Sequence, residues 1–298
     1  MPELAEVEFF RKRWDQAAHG ARILRVHTHD TKKLFRSAPA ATLHAALTHA
    51  TLTSSAAAAK QMLFGFVTAE KNQAWLGLHL GMTGALSVAP TTHVPRKHDH
   101  LVLFTDRQAL VFSDPRMFGK IEFNVGPEAP GWWTKIAPAL CSAPFTVATV
   151  ADFLRRRGRA PIKAVLLMQE RFPGIGNWMA DEILWRAAIH PARLAGSLGP
   201  ADVRLLWREC RHVARLALTA IAGRGKKLPP DLNVNIPDSW LFNHRWQKGG
   251  LCPITKKPLA RAEIGGRTSC WSPARQKLGA RPSSAVLSRK RPRAAVLS

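Results

Sequence analysis

The distribution of apolar residues along the chain constrains its fold more than any other feature of the sequence. Before residue 125 these residues form short strand-like runs, at 23–26, 62–67, 74–80, 101–104 and 109–112. Residues 105–108 separate the last two runs, which is a hairpin signature. From about 146 to 223 the spacing becomes helical and the sequence basic. Strands followed by helices predict an α+β protein with an N-terminal β-sandwich.

Local signals set the limits of the predicted parts. Val7, Phe10, Trp14 and Ala17 lie on one face of a predicted helix over 5–18, which Gly20 stops. Residues 126–145 contain four prolines and two glycines and are predicted to be a linker. We therefore expect an N-terminal domain over 1–125, a helical domain over 146–238, a β-hairpin module over 239–278 and a disordered basic tail over 279–298.

The net charge indicates the class of partner. The chain has 44 Lys and Arg against 20 Asp and Glu, which gives +24, and its pI is about 11.2. Such self-repulsion is typical of a protein that binds a polyanion, and nucleic acid is the first candidate because neutralised phosphates release counterions. A basic protein that is merely well solvated is the alternative. An anionic membrane surface fits less well, since no long basic amphipathic stretch is present.

The same composition bears on location. No apolar run approaches the length of about 18 residues that a membrane span needs, and the N-terminus lacks the basic-then-apolar order of a signal peptide. The four cysteines form no C-x-x-C pair, so a disulfide framework is not expected. We expect a soluble intracellular protein that is not secreted.

The first residues indicate a specific chemistry. A methionine before proline is usually trimmed, which would leave Pro2 as a free secondary amine. Such an amine condenses with an aldehyde to an iminium ion, which is cationic without a proton and withdraws electrons from the bonded carbon. An α-amine also has a pKa of about 7.7–8.0, against about 10.4 for lysine. A Pro-Glu start taken alone is common and would be interpreted as an ordinary helix N-terminus.

Six further segments occur in a fixed order. They are His-Leu-Gly-Met-Thr-Gly at 79–84, His-Asp-His at 98–100, Asp-Pro-Arg-Met-Phe-Gly at 114–119, Gly-Ile-Gly-Asn at 174–177 running into Ala-Asp-Glu-Ile-Leu at 180–184, Ile-His-Pro at 189–191, and Gly-Gly-Arg-Thr at 265–268. In this order and spacing, about residues 1–278 resemble the formamidopyrimidine-DNA glycosylases, a bacterial and plant family that excises oxidised purines. The resemblance implies a catalytic β-sandwich, a helix–two-turn–helix domain and a finger-like β-hairpin.

The resemblance also implies catalytic roles. Pro2 would attack the sugar C1′ carbon, while Glu3 would protonate the ring oxygen and help the base to leave. Lys60 would be an acid–base partner at the lesion-side phosphate, although a lone lysine at a strand end is usually only solvated. Glu6 would support the site, or would simply be an acid favoured by the helix dipole. Arg267 would grip phosphate and assist the second elimination.

Two turns are predicted to fill the space left by a flipped nucleotide. By resemblance, Met82 and Phe118 are apolar wedges, and Arg116 bonds the orphaned base. Purely architectural turns are the alternative. The resemblance assigns His98 to a DNA phosphate. His98 and His100 share a face on a strand, but no third metal ligand is visible nearby.

The helical part is expected to hold the DNA backbone. Its glycines at 174 and 176 would admit the sugar–phosphate chain to a helix that begins near Trp178 and whose amides bind phosphate. The resemblance assigns phosphate contacts to Lys163 and Asn177. A further basic contact falls on Arg157 or Arg159.

The terminal hairpin departs from the four-cysteine zinc finger of many relatives. Cys252 is retained, but the other ligand positions hold Thr255, Ser272 and Arg275, and Cys270 is out of register. One ligand is too few for a tetrahedral zinc site. We expect no metal and no other cofactor, and a hairpin held by packing, as in plant-type and some bacterial relatives.

Together these features predict a bifunctional DNA glycosylase and abasic-site lyase of base excision repair, acting on oxidised purines such as 8-oxoguanine and formamidopyrimidines. Its partner would be damaged double-stranded DNA. We expect a monomer, in the cytoplasm or nucleoid of a bacterium or the nucleus of a eukaryote. The alternatives are a preference for oxidised pyrimidines or abasic sites, as in the endonuclease VIII branch, and a catalytically silent lesion-binding protein. Leu4 and the turn at 114–119 favour the purine branch, whereas the segment 223–238 does not match the 8-oxoguanine cap of many relatives.

Overall fold

The computed structural model describes residues 2–29, 33–35 and 38–278. Met1 and the tail predicted over 279–298 lie outside the described residues. The chain forms two antiparallel sheets, then a helical region, then a two-stranded hairpin. This confirms the predicted α+β fold. Within those ranges no helix is long and apolar enough to cross a membrane.

The N-terminal part is a β-sandwich with two helices, α1 (Leu4–Ala18) and α2 (Ala40–Leu47). Its strands are β1 (Arg25–Thr28), β2 (Thr51–Ala58), β3 (Gln61–Val67), β4 (Gln73–His79), β5 (Ala85–Ala89), β6 (Asp99–Phe104), β7 (Ala109–Ser113) and β8 (Lys120–Val125). One sheet has the strand order β1-β6-β7-β5 and the other β2-β3-β4-β8, and all neighbours are antiparallel.

Helix α1 covers one open side of the sandwich. It packs against β2 and β5, which are edge strands of the two different sheets. Trp14 is buried, its ring centroid lies 5.3 Å from that of Phe64 on β3, and its Nε1 donates to the Ser87 carbonyl at 3.0 Å. This packing fixes the start of α1, where the predicted catalytic residues lie.

The strand predictions were correct for β3, β4, β6 and β7 to within two residues, and the 105–108 hairpin joins β6 to β7. The predicted strand over 23–26 was wrong by two residues. Ile23 instead bonds outside the sheet, donating its N–H to the Ala50 carbonyl at 2.8 Å, and β1 begins at Arg25. Strands β2, β5 and β8 were not predicted.

The segment predicted to be a linker is packed against the sandwich. It contains a short helix, α3 (Gly131–Thr134), and the buried side chains of Leu140 and Phe145. Trp132 lies directly on β4, where a Cβ on Gly77 would stand 2.3 Å from its ring. The segment is therefore a packed connection rather than an open linker.

The helical part contains α4 (Val147–Arg156), α5 (Ile162–Leu166), α6 (Asn177–Arg186) and α7 (Pro200–Ala222). The long helix α7 packs against α1, α4 and α6. The hairpin consists of β9 (Ala260–Ile264) and β10 (Arg267–Trp271), joined by Gly265 and Gly266 at φ +63° and +74°. Because β10 packs on α6, the hairpin turn is carried close to the start of that helix.

Candidate active site

The carboxyl group of Glu3, the residue that precedes α1, lies against the first turn of α6. Glu3 Oε2 accepts hydrogen bonds from the backbone N–H of Gly176 at 2.8 Å and of Met179 at 3.1 Å. Its Oε1 accepts the N–H of Trp178 at 2.9 Å. These amides were predicted to bind phosphate, and that prediction was wrong: the carboxyl of Glu3 occupies the positive end of the helix.

The two glycines before α6 make this contact possible. A Cβ on Gly176 would stand 2.3 Å from the Glu3 carboxyl carbon. Gly174 has φ +85°, and its carbonyl accepts the N–H of Leu4 at 3.0 Å. We expected these glycines to admit the DNA backbone, but the segment they admit is the start of α1.

Burial changes the proton affinity of this carboxyl. Glu3 is 2% exposed, and burial together with the nearby Glu6 raises its pKa to about 7, against the opposing charge of Lys60. Burial also raises the pKa of Glu6, whose Oε2 accepts the Glu3 N–H at 3.1 Å and whose Oε1 accepts the Trp178 Nε1–H at 2.8 Å. At neutral pH the Glu3 carboxyl is therefore protonated for a large share of the time. Oε1 accepts only one of the three hydrogen bonds, so its second lone pair can carry this proton.

Lys60 lies in the turn between β2 and β3, directly after Ala59 at φ +55°. It is buried, and burial lowers its pKa, against the charges of Glu3 and Glu6. The charge of Arg267, which is exposed at the start of β10, lowers the pKa of Lys60 further. The structure thus brings Lys60 close to the two carboxyls and Arg267, more than 200 residues further along the sequence, close to Lys60.

A hollow of about 350 Å³ opens beside Pro2. Its lining includes Glu6, Met82 and Trp178. Leu232, Asn233, Phe242 and Trp246 also contribute to its wall. The segment 223–238, where the cap of many relatives falls, therefore contributes two lining residues, Leu232 and Asn233. The lining is mainly apolar and aromatic, with one carboxyl, which suits a planar polar ring.

The predicted wedge side chains project from two neighbouring turns. Met82 is 36% exposed and Phe118 is 55% exposed. The Arg116 guanidinium carbon lies 4.9 Å from the centroid of the Phe118 ring. Met117, at φ +53°, is also 42% exposed. Both turns therefore present exposed side chains at the surface.

Asp114, which the sequence singled out only as part of a motif, joins the two turns. It is fully buried, and its Oδ1 accepts the Thr83 hydroxyl at 2.8 Å and the Arg116 N–H at 3.3 Å. Its Oδ2 accepts the Gly119 N–H at 2.7 Å. His100 Nε2 donates to the Asp114 carbonyl at 2.9 Å. One carboxylate therefore fixes the relative position of the turns that carry Met82 and Arg116.

The histidine pair is not arranged as the sequence suggested. The strand β6 begins at Asp99, so His98 lies in the preceding turn, half-buried, and does not share a strand face with His100. His100 is buried, and one ring nitrogen is engaged by Asp114. Among the residues that the structure describes, no group of three or more His, Cys, Asp or Glu side chains could hold a metal ion.

Lys163 corrects another prediction. It was assigned to a DNA phosphate, but its side chain is fully buried, and its Nζ donates to the Asn177 carbonyl at 2.7 Å and to Asp181 Oδ1 at 2.5 Å. The Oδ2 of Asp181 accepts hydrogen bonds from Arg245 Nη2 at 2.6 Å and from the Cys270 N–H at 3.1 Å. Lys163 therefore supports the start of α6 and its contact with the hairpin.

Asn177 and the upstream arginines differ in what they offer to DNA. Asn177 Nδ2 donates to the Thr268 carbonyl at 2.9 Å, which ties α6 to β10. Arg157 and Arg159 are both exposed, and Arg157 donates to Glu170 at 2.8 Å. A phosphate would compete with Glu170 for Arg157, so Arg159 is the better placed of the two candidates.

The far end of the finger offers poor zinc ligands. Cys252 is fully buried, and its Sγ accepts the Trp185 Nε1–H at 3.4 Å and the Thr255 N–H at 3.5 Å. Burial raises the pKa of this thiol, but the hydrogen bonds from Thr255 and Trp185 outweigh it and lower the pKa to about 6. The remaining ligand positions carry two hydroxyls and the guanidinium of Arg275, which do not fit a zinc ion.

Comparison with known proteins adds a family match. The model of the formamidopyrimidine-DNA glycosylase N-terminal domain matches residues 1–121, and that of the formamidopyrimidine-DNA glycosylase H2TH domain matches residues 136–227. The chain is 38% identical over 215 residues to the formamidopyrimidine-DNA glycosylase of Geobacter metallireducens, covering 72% of this chain and 78% of that one. It is 32% identical to the enzyme of the same name from Roseiflexus, covering 93% of this chain and 100% of that one.

The fold also has counterparts among solved structures. The wild-type Lactococcus lactis Fpg (MutM) in complex with DNA containing an oxidised pyrimidine superposes with a TM-score of 0.79 at 24% identity, covering 93% of this chain and 100% of that one. The same protein in complex with N7-benzyl-Fapy-dG DNA gives the same TM-score, identity and coverage.

Proposed function

The chain belongs to the formamidopyrimidine-DNA glycosylase family of base-excision-repair enzymes, and we propose that it excises oxidised purines and then cleaves the strand as a lyase. One observation carries the proposal. Pro2 lines a base-sized hollow next to Glu3, a buried carboxyl whose pKa is raised to about 7. Binding alone requires neither a reactive amine nor a carboxyl that holds a proton at neutral pH.

The glycosylase step uses the Pro2 amine as nucleophile. Its nitrogen bonds to the sugar C1′ carbon as the bond from C1′ to the base breaks. The base leaves with the bonding electrons and takes up the proton that the Pro2 nitrogen loses. Glu3 then gives its proton to the ring oxygen as the C1′–O4′ bond opens, which leaves an iminium ion between Pro2 and C1′. The protonated share of Glu3 at neutral pH suits this donation.

The lyase step follows from the charge of the iminium ion. It acidifies the C2′ protons, and when one is removed the C3′–O3′ bond breaks and the 3′-phosphate leaves. A second elimination expels the 5′-phosphate, and water hydrolyses the iminium to free Pro2. We assign proton transfer to Lys60, since its lowered pKa enlarges its neutral fraction, and phosphate stabilisation to Arg267.

The remaining site residues hold the DNA. In this mechanism Met82, Arg116 and Phe118 occupy the space of the flipped nucleotide, which enters the hollow between Pro2 and Trp178. The exposed Arg267 contacts the sugar–phosphate backbone of the DNA in this mechanism, and its neighbour Thr268 is hydrogen-bonded to Asn177. The net charge of +24 supplies affinity that does not depend on sequence.

The test is a panel of duplexes containing 8-oxoguanine, a formamidopyrimidine, thymine glycol or an abasic site, scored separately for base release and for nicking. We expect the two purine lesions to be released fastest, and Pro2→Gly to lose most of its lyase activity. Fastest release of thymine glycol would instead assign the chain an endonuclease VIII-like preference. Binding without release of any base would identify a silent lesion-binding protein.

A further inference from the structure

A second hollow, of about 770 Å³, opens at the other end of α6 from Glu3. Its walls are the last turn of α6, the middle of α7 and the zinc-less end of the finger. Helix α6 has ten residues, so at about 1.5 Å per residue its two ends lie roughly 13 Å apart. The hollow shares no lining residue with the hollow at Pro2, and its size is that of a ligand pocket.

The lining of this hollow is strongly cationic. Arg208 lies 3.3 Å from Glu209, the one acid in the wall. Arg215 and Arg275 form no ion pair with any acid in residues 2–29, 33–35 and 38–278. The wall holds five arginines: Arg186, Arg208, Arg211, Arg215 and Arg275. Arg186 is paired with Glu182 at 2.7 Å, so three of the five, Arg211, Arg215 and Arg275, have no acidic partner among the described residues. The hollow therefore attracts an anionic group.

Two of these arginines are held in place before any ligand arrives. The Arg275 guanidinium carbon lies 5.4 Å from the centroid of the Trp185 ring. Its Nε is buried, with no hydrogen-bond partner in the described part of the chain. Arg211 Nη1 donates to the Ser142 carbonyl at 3.0 Å. Arg275 thus presents an unpaired positive charge held against Trp185, with which a carboxylate entering the hollow would pair.

The hollow also has an apolar side. Ile254 is 57% exposed at its rim, and Trp207 is half-buried in its wall. Ile254 lies between Cys252 and the Thr255 that replaces the second zinc ligand, while Arg275 stands where the fourth would be. The loss of the zinc ligands and the cationic hollow thus belong to the same end of the finger.

We propose that this hollow binds an acidic peptide segment of a partner protein. Its carboxylates pair with Arg215 and Arg275, and one apolar side chain packs on the exposed Ile254. An extended peptide can enter a concave hollow, whereas duplex DNA is a convex rod whose phosphates gain nothing from Ile254. The start of α6 would then lie at the damaged DNA while its end lies at the bound partner, so that both can be bound at the same time.

The aromatic rings in the wall are unsuited to stacking nucleic-acid bases. Trp185 is only 2% exposed. Trp207 Nε1 donates to the Phe145 carbonyl at 2.7 Å, and the Arg211 guanidinium carbon lies 5.2 Å from its ring centroid. Single strands bind chiefly through open aromatic faces, so the rings favour the peptide.

The test is fluorescence anisotropy with the full-length protein and a labelled hexapeptide, Asp-Asp-Asp-Asp-Leu-Phe. We expect saturable binding that Arg275→Ala and Arg215→Ala each weaken at least tenfold. Arg107→Ala removes an equal charge from the exposed 105–108 turn and is the matched control. Nicking of abasic duplex should be unchanged in all three variants, since none of these residues is in the proposed active site.

Competition decides between the possible occupants. A duplex with an uncleavable abasic analogue should leave peptide affinity unchanged, because it occupies the other end of α6. The same peptide with Asn for Asp should fail to bind, and one with Ser for Leu-Phe should bind more weakly. The proposal is wrong if Arg275→Ala and Arg107→Ala bind equally, if ATP displaces the peptide at lower concentration than unlabelled peptide does, or if abasic duplex displaces it.

Discussion

Glu3 and Glu6 set the pH range in which the site can donate a proton. Glu3 must be protonated to act, and its pKa is raised to about 7, so the rate of base release should fall as the pH rises above 7. The charge of Glu6 helps to raise that pKa, and Glu6→Gln should therefore move the falling limb to lower pH. A shift of about one unit would lower the rate at pH 7 about fivefold.

Single-turnover base release between pH 5 and 9 measures this. Glu8→Gln is the matched control, because Glu8 lies on the same helix but pairs with Arg11 at 2.7 Å. The amide of a glutamine has a single oxygen, which could replace only one of the two Glu6 oxygens that accept hydrogen bonds, so the melting temperature is recorded for each variant. Superimposable profiles for Glu6→Gln and the unchanged protein would contradict the coupling.

The raised pKa of Glu3 should also make the free energy of unfolding depend on pH. Because the folded-state pKa of Glu3 lies above its ordinary value of 4.5, the folded state binds more protons than the unfolded chain between those two values. The stability contributed by this group is therefore fully present below about pH 4.5 and is lost as the pH rises through 7.

At the scale of residues, the sequence indicated which side chains belong to the site but not what each of them contacts. The resemblance singled out Glu3 and Lys163, and the structure places both side chains at the start of α6. No spacing pattern showed that Gly176 makes room for the Glu3 carboxyl rather than for DNA, or that Lys163 is paired with Asp181 in the interior. Both facts depend on contacts between residues far apart in sequence.

Among the structural elements, the two wedge turns should act as one unit. Asp114 is a positioning residue that links them through Thr83. Arg116→Ala should reduce discrimination by the base opposite the lesion by about 1–3 kcal/mol. In a Thr83→Val background the same substitution should cost less, because the turns are no longer joined, with a coupling of about 0.5–1.5 kcal/mol.

Single-turnover release of 8-oxoguanine opposite cytosine and opposite adenine provides the measurement. Thr83→Ser keeps the hydroxyl that Asp114 accepts and should behave like the unchanged protein. Strict additivity of Thr83→Val and Arg116→Ala would show that the two turns work independently.

The finger is the element for which we propose that no metal is needed. At the positions of the four zinc-binding cysteines of many relatives, this chain has one buried thiol, two hydroxyls and a guanidinium. Asp181 holds the hairpin to α6 instead, by accepting hydrogen bonds from Arg245 and from the Cys270 amide. Purified protein should therefore contain far less than one zinc per chain, and a chelator should not reduce nicking. Elemental analysis showing a ratio near one would overturn this.

Strand β2 shows why some elements escaped prediction. Its sequence is rich in serine and alanine, which have little intrinsic preference for strands. The strand pairs along its length with the apolar β3, and Ser55 bonds both Arg11 and Asp15 of α1. Partners elsewhere in the chain, rather than its own composition, make it a strand.

At the scale of the whole molecule, the positive charge of the chain should set its affinity for undamaged DNA. The segment 279–298, outside the described residues, holds five basic residues and no acid. A nuclear-localisation signal or a functionless end are alternatives to DNA binding for such a segment. If it binds phosphates, deleting it should reduce the slope of log affinity against log salt for undamaged duplex, by about 0.9 for each phosphate that is no longer neutralised.

Binding titrations at several salt concentrations test this, with single-turnover excision as the control that should stay nearly unchanged. An unchanged salt slope would show that the segment does not touch DNA. Loss of excision would show that it is part of the catalytic body.

The proposed mechanism depends on the amine of Pro2, and borohydride trapping reports on that amine itself. Reduction during reaction with 8-oxoguanine duplex should give a stable protein–DNA adduct, and peptide mapping should place it on the N-terminal peptide, at Pro2. Protein that retains Met1, and Pro2→Gly, should give much less adduct. An adduct that maps to Lys60 or to any other lysine would contradict the mechanism.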